Sequence, residues 1–423
     1  ESSDTEGAWR TLPYQRVMID LMGGDEVPKV SVMKSKRIGY TKGIIICAAY
    51  WTGYKRRSTA IWQPTDSDAE EFKKDEIDTA LRDVPAFRDS MIVEHDKKSK
   101  HNTAGRIAFR GKAARSYARL SVDSAVRDEV DRFDHSIEGA GSSRVLAGGR
   151  TLQSPHPKEV GGSTPRNRGE SQIEAEFDES ELRLYRELPC PDCNEFHRLE
   201  WKNCTYDKTN ASKTTQFACP HCGSMYGYDQ YADMDRGGRW ASGDGDWVDE
   251  HVPAGFPLIL RDESGKELGW PESVGLFIWS AYSYLQAWGK LAQAWVLAND
   301  RLKKTGDREP LKTLINEDFA ETWQEEEAAV DADVLKARRE EYAAPVPMGV
   351  VALTGGADTQ DDRLEYEVVG HGPDGETWGI AHGVLHGDPA DDDVWDQLDR
   401  LRAQTWRHES GGDLRVLAWG IDS

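Results

Sequence analysis

Between residues 30 and 126 the apolar positions fall into short runs separated by amphipathic stretches. Val30 to Met33 reads as a strand, Gly43 to Tyr54 as a helix rich in Ile and Ala, and Ser58 to Gln63 as a second strand closed by Pro64. The segment "PTDSDAEEFKKDEIDTALRD" then opens on Thr65 or Asp66 as a cap with acids in its first turn, the signature of a helix start. Ile107 to Phe109 and Leu120 to Val126 are further strand candidates. Strand and helix in alternation predict a parallel α/β sheet. Farther along, Trp279, Tyr282, Leu285, Trp288, Leu291, Ala292 and Trp295 recur near helical spacing, which predicts a helix over 277–302 with an aromatic core face. Residues 317–342 are charged and read as helical, and "APVP" at 344–347 punctuates like a linker. Strand patterns follow in "GVVALTGGAD", "RLEYEVVGHG" and "TWGIAHGVLHG", then a helix over 392–407 and the strand "LRVLAWGID".

At 423 residues the chain is too long for one core and predicts two or three domains. Its 15 Trp, 14 Tyr and 10 Phe are enough to build cores, which excludes a disordered chain. No apolar run approaches the roughly 18 residues of a membrane span, so no membrane partner is expected. No secretory signal is visible, and a chain that starts at Glu1 is expected to have lost an N-terminal piece. The net charge of −22 argues against nucleic acid only at first sight, because charge acts within a Debye length of roughly 8 Å. Lys97, Lys98, Lys100, Arg106, Arg110, Lys112, Arg115 and Arg119 form a basic strip, with a weaker one from Arg144 to Arg168. Such a strip serves equally as a solvated loop or as a phosphate-facing surface.

The segment "VMKSKRIGYTK" at 32–42 nearly spells a phosphate-binding loop, G-x-x-x-x-G-K-[ST]. Gly39 and Thr41 are in place, but Tyr40 holds the lysine position and Ser35 stands where the first glycine would open the turn. A strand, a glycine turn and a helix start still present amides and a favourable dipole to an anion. Thr41 is placed to take Mg²⁺. The nearby cations are Lys34 at the strand exit, Arg37 in mid-loop and Lys42 on the first helical turn; Lys42 points away if Thr41 faces the metal. Downstream, Asp128 is a strand-end candidate for Mg²⁺ and Glu129 for polarising a water, while Gln15 in "LPYQR" is placed to read an adenine edge. Each motif alone serves coincidence as well as function.

Cys190-Pro-Asp-Cys193 and Cys219-Pro-His-Cys222 are two C-x-x-C turns, enough to complete a tetrahedral Zn²⁺ site in a reducing compartment. Cys204, His197, His221 and Cys47 read as bystanders. Near the end, Asp358 and Asp422 each close an apolar strand. Two such carboxylates side by side can hold the paired Mg²⁺ or Mn²⁺ of an RNase H-like nuclease, and a further carboxylate is expected beyond residue 423.

Taken in order, "LPYQR", "KSKRIGYTK", "AIWQPTDSDAEEF", "GKAARSY", "RDEVDRFD", "GGSTPRNRG", "IWSAYS", "APVP" and "GGADTQDDRLEYEVVGHGP" resemble the lambda-type, GpA-like large terminase subunits of tailed bacteriophages. The resemblance implies an ATP-driven motor that moves phage DNA into a procapsid, with an attached metal-dependent endonuclease that cuts the concatemer. It gives Lys34 the displaced lysine's role, Asp128 and Glu129 the Mg²⁺ and water-activating roles, and Ser163 and Thr164 a coupling role. It supports Asp358 as a nuclease ligand and Asp422 more loosely. The implied fold is a P-loop NTPase core over 1–185, a zinc-ribbon-like insertion over 186–245, a helical or lid continuation over 246–343, and the start of an RNase H-like nuclease domain over 344–423. ATP, Mg²⁺ or Mn²⁺ and Zn²⁺ are the implied cofactors. The small terminase subunit, the portal and further copies of this chain are the implied partners, in the host bacterial cytoplasm. A zinc-dependent DNA-binding or assembly protein, or a helicase-like ATPase without nuclease, are the competing readings.

Overall fold

The computed structural model describes residues 10–85, 87–88, 107–252, 256–324, 344–360, 362–373 and 375–422. The chain divides into two compact units, residues 1–325 and 326–423. Residues 97–106 of the basic strip, and 325–342 of the segment read as a charged helix, lie outside the described residues.

Among the described residues the first unit is built on a twelve-stranded sheet, the two-residue strand Phe196–His197 at its margin included. Helix α1 (Pro13–Gly23) starts with proline in its first turn, where the missing N–H is no loss. Strand β1 (Lys29–Lys34) follows, then helix α2 (Tyr40–Ala49), β2 (Thr59–Trp62), β3 (Ile107–Arg110), β4 (Ser124–Asp128), β5 (Lys158–Ser163) and β6 (Leu182–Pro189). All run parallel in the order β3–β2–β4–β5–β1, then a strand at Ser273–Ile278, then β6. Apolar residues such as Val30, Val32, Ile61, Val126 and Val160 are sealed from solvent in these strands, as expected where helices cover both faces. The helix predicted from Pro64 onward begins at Asp66, with Thr65 as its cap: Asp68 N–H donates to Thr65 Oγ1 at 3.0 Å.

The helix predicted over 277–302 divides in two. Its first residues close the Ser273–Ile278 strand, paired on one side with β1 and on the other with β6, and only Trp288–Thr305 is helical. The helical spacing of Trp279, Tyr282 and Leu285 arises in a turn between them, a run too short for periodicity to separate strand from helix. Residues 246–272, expected within a helical continuation, instead form short antiparallel strands at Trp247–Asp249, Ile259–Arg261 and Glu267–Leu268. With Arg239–Ala241 they extend the sheet beyond β6. The first cysteine pair precedes a separate three-stranded sheet, Cys204–Thr205, Gln216–Ala218 and Met225–Tyr226, and the second sits in the hairpin between its last two strands.

The second unit is a five-stranded sheet. Ala352–Gln360 lies between antiparallel Arg363–His371 and parallel Asp413–Ile421, and Thr377–His386 and Thr405–Arg407 form the edges. The helix Asp392–Arg402 buries Val394 and Leu398.

Candidate functional site

Every loop that bears on the first site leaves the carboxyl ends of parallel strands, where such sheets place their ligands. β1 delivers Lys34, 5% exposed, to that edge. The following loop is pinned at its entry: Ser35 N–H donates to the Ile278 carbonyl at 2.9 Å and Lys36 N–H to the Glu317 carbonyl at 2.8 Å. Arg37 and Gly39 both adopt left-handed backbone, at φ 59° and 86°, and the chain then enters α2. The first-turn amides of α2 have no partner within the helix and are suited to receive an anion. Gln15 reaches this loop, but through its carbonyl: its Nε2 donates to Ile38 O at 3.0 Å while its Oε1 accepts from Leu12 N–H at 3.0 Å. Both polar atoms of Gln15 are thus engaged in holding the loop and starting α1.

Tyr40, in the usual lysine position, is fully buried with its ring against Gly162 of β5. The Lys34 Nζ lies 5.4 Å from that ring's centroid and 2.9 Å from Glu129 Oε1. Lys34 therefore spans from β1 across β5 to the residue after β4. The Tyr40 ring packs where a side chain at Gly162 would stand, and Gly162 pairs with Val32 on one side and Asp128 on the other. Asp128 is 4% exposed and accepts from Gln63 Nε2 at 3.1 Å. Burial, and then the charge of Glu129, push its carboxyl up to about 6 against the opposing pull of Lys34. Glu129 has φ 53°, a strained value for a non-glycine residue, at the point where the chain leaves β4. Thr41 is half-buried on the first turn of α2, Arg37 is exposed, and Lys42 turns away to pair with Glu76.

Beyond β5 the "GGSTP" segment is wired to its neighbours. Asp131 N–H donates to Ser163 Oγ at 3.2 Å, and the Asp131 carboxylate accepts from Arg166 N–H at 2.9 Å and Ile173 N–H at 2.7 Å. Thr164 Oγ1 donates to Glu317 Oε1 at 3.3 Å. Of the basic strip, Lys112 pairs with Asp134 at 2.9 Å and Arg115 lies 3.9 Å from Asp66.

The Sγ atoms of Cys190, Cys193, Cys219 and Cys222 all lie within 4.8 Å of one another. Two of the spacings, 3.7 and 3.8 Å, match the edge of a tetrahedron with Zn–S bonds of about 2.3 Å. The two turns are built alike. Asn194 N–H donates to the Cys190 carbonyl and Gly223 N–H to the Cys219 carbonyl, and Asn194 and Gly223 are both left-handed, at φ 62° and 76°. The sequences "CPDCN" and "CPHCG" thus contain a repeated signal, a residue tolerant of positive φ after each second cysteine. His197 bonds Tyr226, His221 faces the Phe196 carbonyl and Cys204 sits in a strand, all outside the quartet.

In the second unit Asp358 and Asp422 are exposed near the ends of adjacent parallel strands, where Asp422 N–H donates to the Ala357 carbonyl at 3.0 Å. They line one open depression of about 780 Å³ with Glu365, Glu367 and His382. Glu365 faces Asp358 directly across the antiparallel ladder, a neighbour that linear spacing did not single out. Among the described residues the cysteine quartet is the one group of three or more His, Cys, Asp or Glu side chains close enough to share an ion. The two aspartates by themselves are an incomplete set.

Residues 3–240 match the family described as phage terminase large subunit gpA, ATPase domain, and residues 273–423 match terminase large subunit gpA, endonuclease domain. The whole chain is 33% identical to the large terminase subunit of Escherichia phage lambda and 32% identical to that of Enterobacteria phage P21. It spans about two thirds of the length of these curated relatives, 67% and 66%. Among solved structures it is similar to the HK97 bacteriophage large terminase, at 11% identity and a TM-score of 0.41, over 95% of this chain and 68% of that one.

Proposed function

We propose, because this chain belongs to the gpA family of phage terminase large subunits and carries its ATPase and endonuclease domains, that Lys34, Thr41, Asp128 and Glu129 form the ATP-hydrolysing centre of a DNA-packaging motor. The observation that carries this reading is the Lys34–Glu129 pair, which joins the end of β1 to the residue after β4. The ammonium stands where β- and γ-phosphate charge would gather, and the amides opening α2 face the same mouth. Phosphate oxygens compete with Glu129 for Lys34, and the carboxylate so released is positioned to orient a water and accept its proton. Mg²⁺, for which Thr41 and Asp128 supply oxygen ligands, would neutralise phosphate charge. Ser163 and Thr164, tied to Asp131 and Glu317, are suited to pass a change at the acids onward.

The endonuclease centre is assigned to Asp358 and Asp422 with Mg²⁺ or Mn²⁺, completed by a carboxylate from elsewhere. The cysteine quartet fits one structural Zn²⁺: four thiolates leave no open position for catalysis. Double-stranded phage DNA, the small terminase subunit, the portal of the procapsid and further copies of this chain are the proposed partners, in the host bacterial cytoplasm. Among the described residues no helix is long and apolar enough to cross a membrane. The test is nucleotide binding and turnover in three variants. Lys34→Ala should lose both, Glu129→Gln should bind ATP without turning it over, and Lys42→Ala should be mild because its partner is Glu76. Equal loss in Lys34→Ala and Lys42→Ala would reject Lys34 as the displaced lysine.

A further inference from the structure

The family's ATPase match ends at residue 240 and its endonuclease match begins at 273, yet the chain after 273 returns to the phosphate loop. The Ser273–Ile278 strand lies beside β1 and lends the Ile278 carbonyl to Ser35 N–H. Farther on, the turn at Asn316–Glu317–Asp318 closes over the loop's second residue. The Glu317 carbonyl takes the Lys36 N–H at 2.8 Å, and Asp318 Oδ2 takes the Lys36 ammonium at 2.7 Å. Asp318 is 4% exposed, and its other oxygen accepts from Gln286 Nε2 at 3.1 Å and Ser280 Oγ at 3.4 Å. We infer that Asp318 is a positioning residue for the phosphate loop, so that residues 273–318 complete the ATP site even though they fall within the endonuclease match.

Two further observations separate this role from ordinary packing. The same turn also grips the segment after β5: Asn316 Nδ2 donates to the Pro165 carbonyl at 2.9 Å, and Glu317 Oε1 accepts from Thr164 Oγ1 at 3.3 Å. It thereby sets the distance between the phosphate loop and "GGSTP". Second, the loop it holds contains a left-handed non-glycine residue, Arg37, whose carbonyl is fastened by Ser283 Oγ at 3.0 Å. Backbone of that kind persists only where its surroundings over-determine it. Without the Asp318 anchor, the loop spends part of its time in shapes that do not bind phosphate, and apparent ATP affinity falls by the competent fraction. Catalysis in the bound state, which depends on Lys34 and Glu129, is then retained.

The experiment measures ATP KM, kcat and thermal melting for the full chain and for Asp318→Asn, Lys36→Gln and the double variant. Lys36 is 40% exposed, so Lys36→Gln tests the anchor without risk to the core. The expected result is an ATP KM raised roughly 5- to 30-fold in each single variant with kcat within about threefold, and a double variant no worse than Asp318→Asn. Lys36→Gln with a KM within twofold of the parent, a fall in kcat at unchanged KM, or single effects that multiply in the double would each overturn the inference. The inference rests on the loop being the ATP site, and Lys34→Ala separates the two. Retained ATP binding in Lys34→Ala rejects the site itself, whereas lost binding there with parental Lys36→Gln and Asp318→Asn rejects only the positioning role.

Discussion

Gly162→Ala tests how tightly Tyr40, at the usual lysine position, is packed against β5. A Cβ added at Gly162 would lie 2.7 Å from Tyr40 Cε1 and closer still to the Tyr40 Cζ and hydroxyl. Neither side can yield easily. Gly162 is held in register between β1 and β4, and Tyr40 opens α2 inside the main core. Overpacking of this kind costs about 1–3 kcal/mol, and the rigid surroundings place Gly162→Ala near the upper end. For a folded unit of this size that is a fall in Tm of roughly 3–5 °C. Because Lys34 lies over the same ring, ATP turnover should fall as well, by about tenfold or more for each ~1.4 kcal/mol lost at the site. Urea unfolding and ATPase assays on Gly162→Ala, Tyr40→Ala and the double variant form a cycle. The penalty of the alanine should shrink by at least ~1 kcal/mol once Tyr40 is gone. Gly243→Ala, where nothing lies within 4 Å, should stay near the parent. A Gly162→Ala protein as stable as the parent, or a penalty unchanged without Tyr40, would refute the account.

Asp128→Asn should stabilise the protein in EDTA at neutral pH, because its carboxyl is raised from 3.8 to about 6 by burial and by Glu129. The folded state holds the extra proton between about pH 4 and 6, so stability falls as pH rises through that window. The gain in Asp128→Asn should be absent near pH 4 and reach up to ~3 kcal/mol above pH 7. Urea unfolding across that range checks it, and a flat difference contradicts it. Metal analysis should find one Zn²⁺ per chain in the reduced parent, near none in Cys193→Ser and a full equivalent in Cys204→Ser; equal loss in the two variants would break the quartet. Asp358→Asn should remove Mn²⁺-dependent DNA nicking by the full-length protein while leaving ATP turnover within about twofold, and nicking at the parental rate would displace Asp358 from the centre.

The ingredients of the sites were legible in linear order because each depends on local spacing. A strand, a loop and a helix start appear within residues 29–49, and two C-x-x-C turns are complete within four residues each. The acids Asp128, Glu129 and Asp358 stand at strand ends that alternating or apolar runs disclose. The order of these landmarks was enough to place the chain in its family. What spacing could not supply was which strand lies beside which. Phe277 and Ile278, the end of the Ser273–Ile278 strand, read as the start of a helix because the strand's partners, β1 and β6, lie about ninety or more residues away and no local pattern encodes them. For the same reason Glu317 and Asp318, more than 280 residues from Lys36, gave no sign of touching the phosphate loop. Gln15 reads from the sequence as facing an adenine edge, and only packing showed that its two polar atoms hold the loop and the start of α1.

Linear order alone shows Tyr40 at the usual lysine position, with Lys34, Arg37 and Lys42 nearby. That Lys34 meets Glu129 follows only from strand pairing, because β5 lies between β1 and β4 and brings the ends of all three to one edge. Residue types and short spacings are properties of the chain, whereas that contact exists only once three strands have paired in one register.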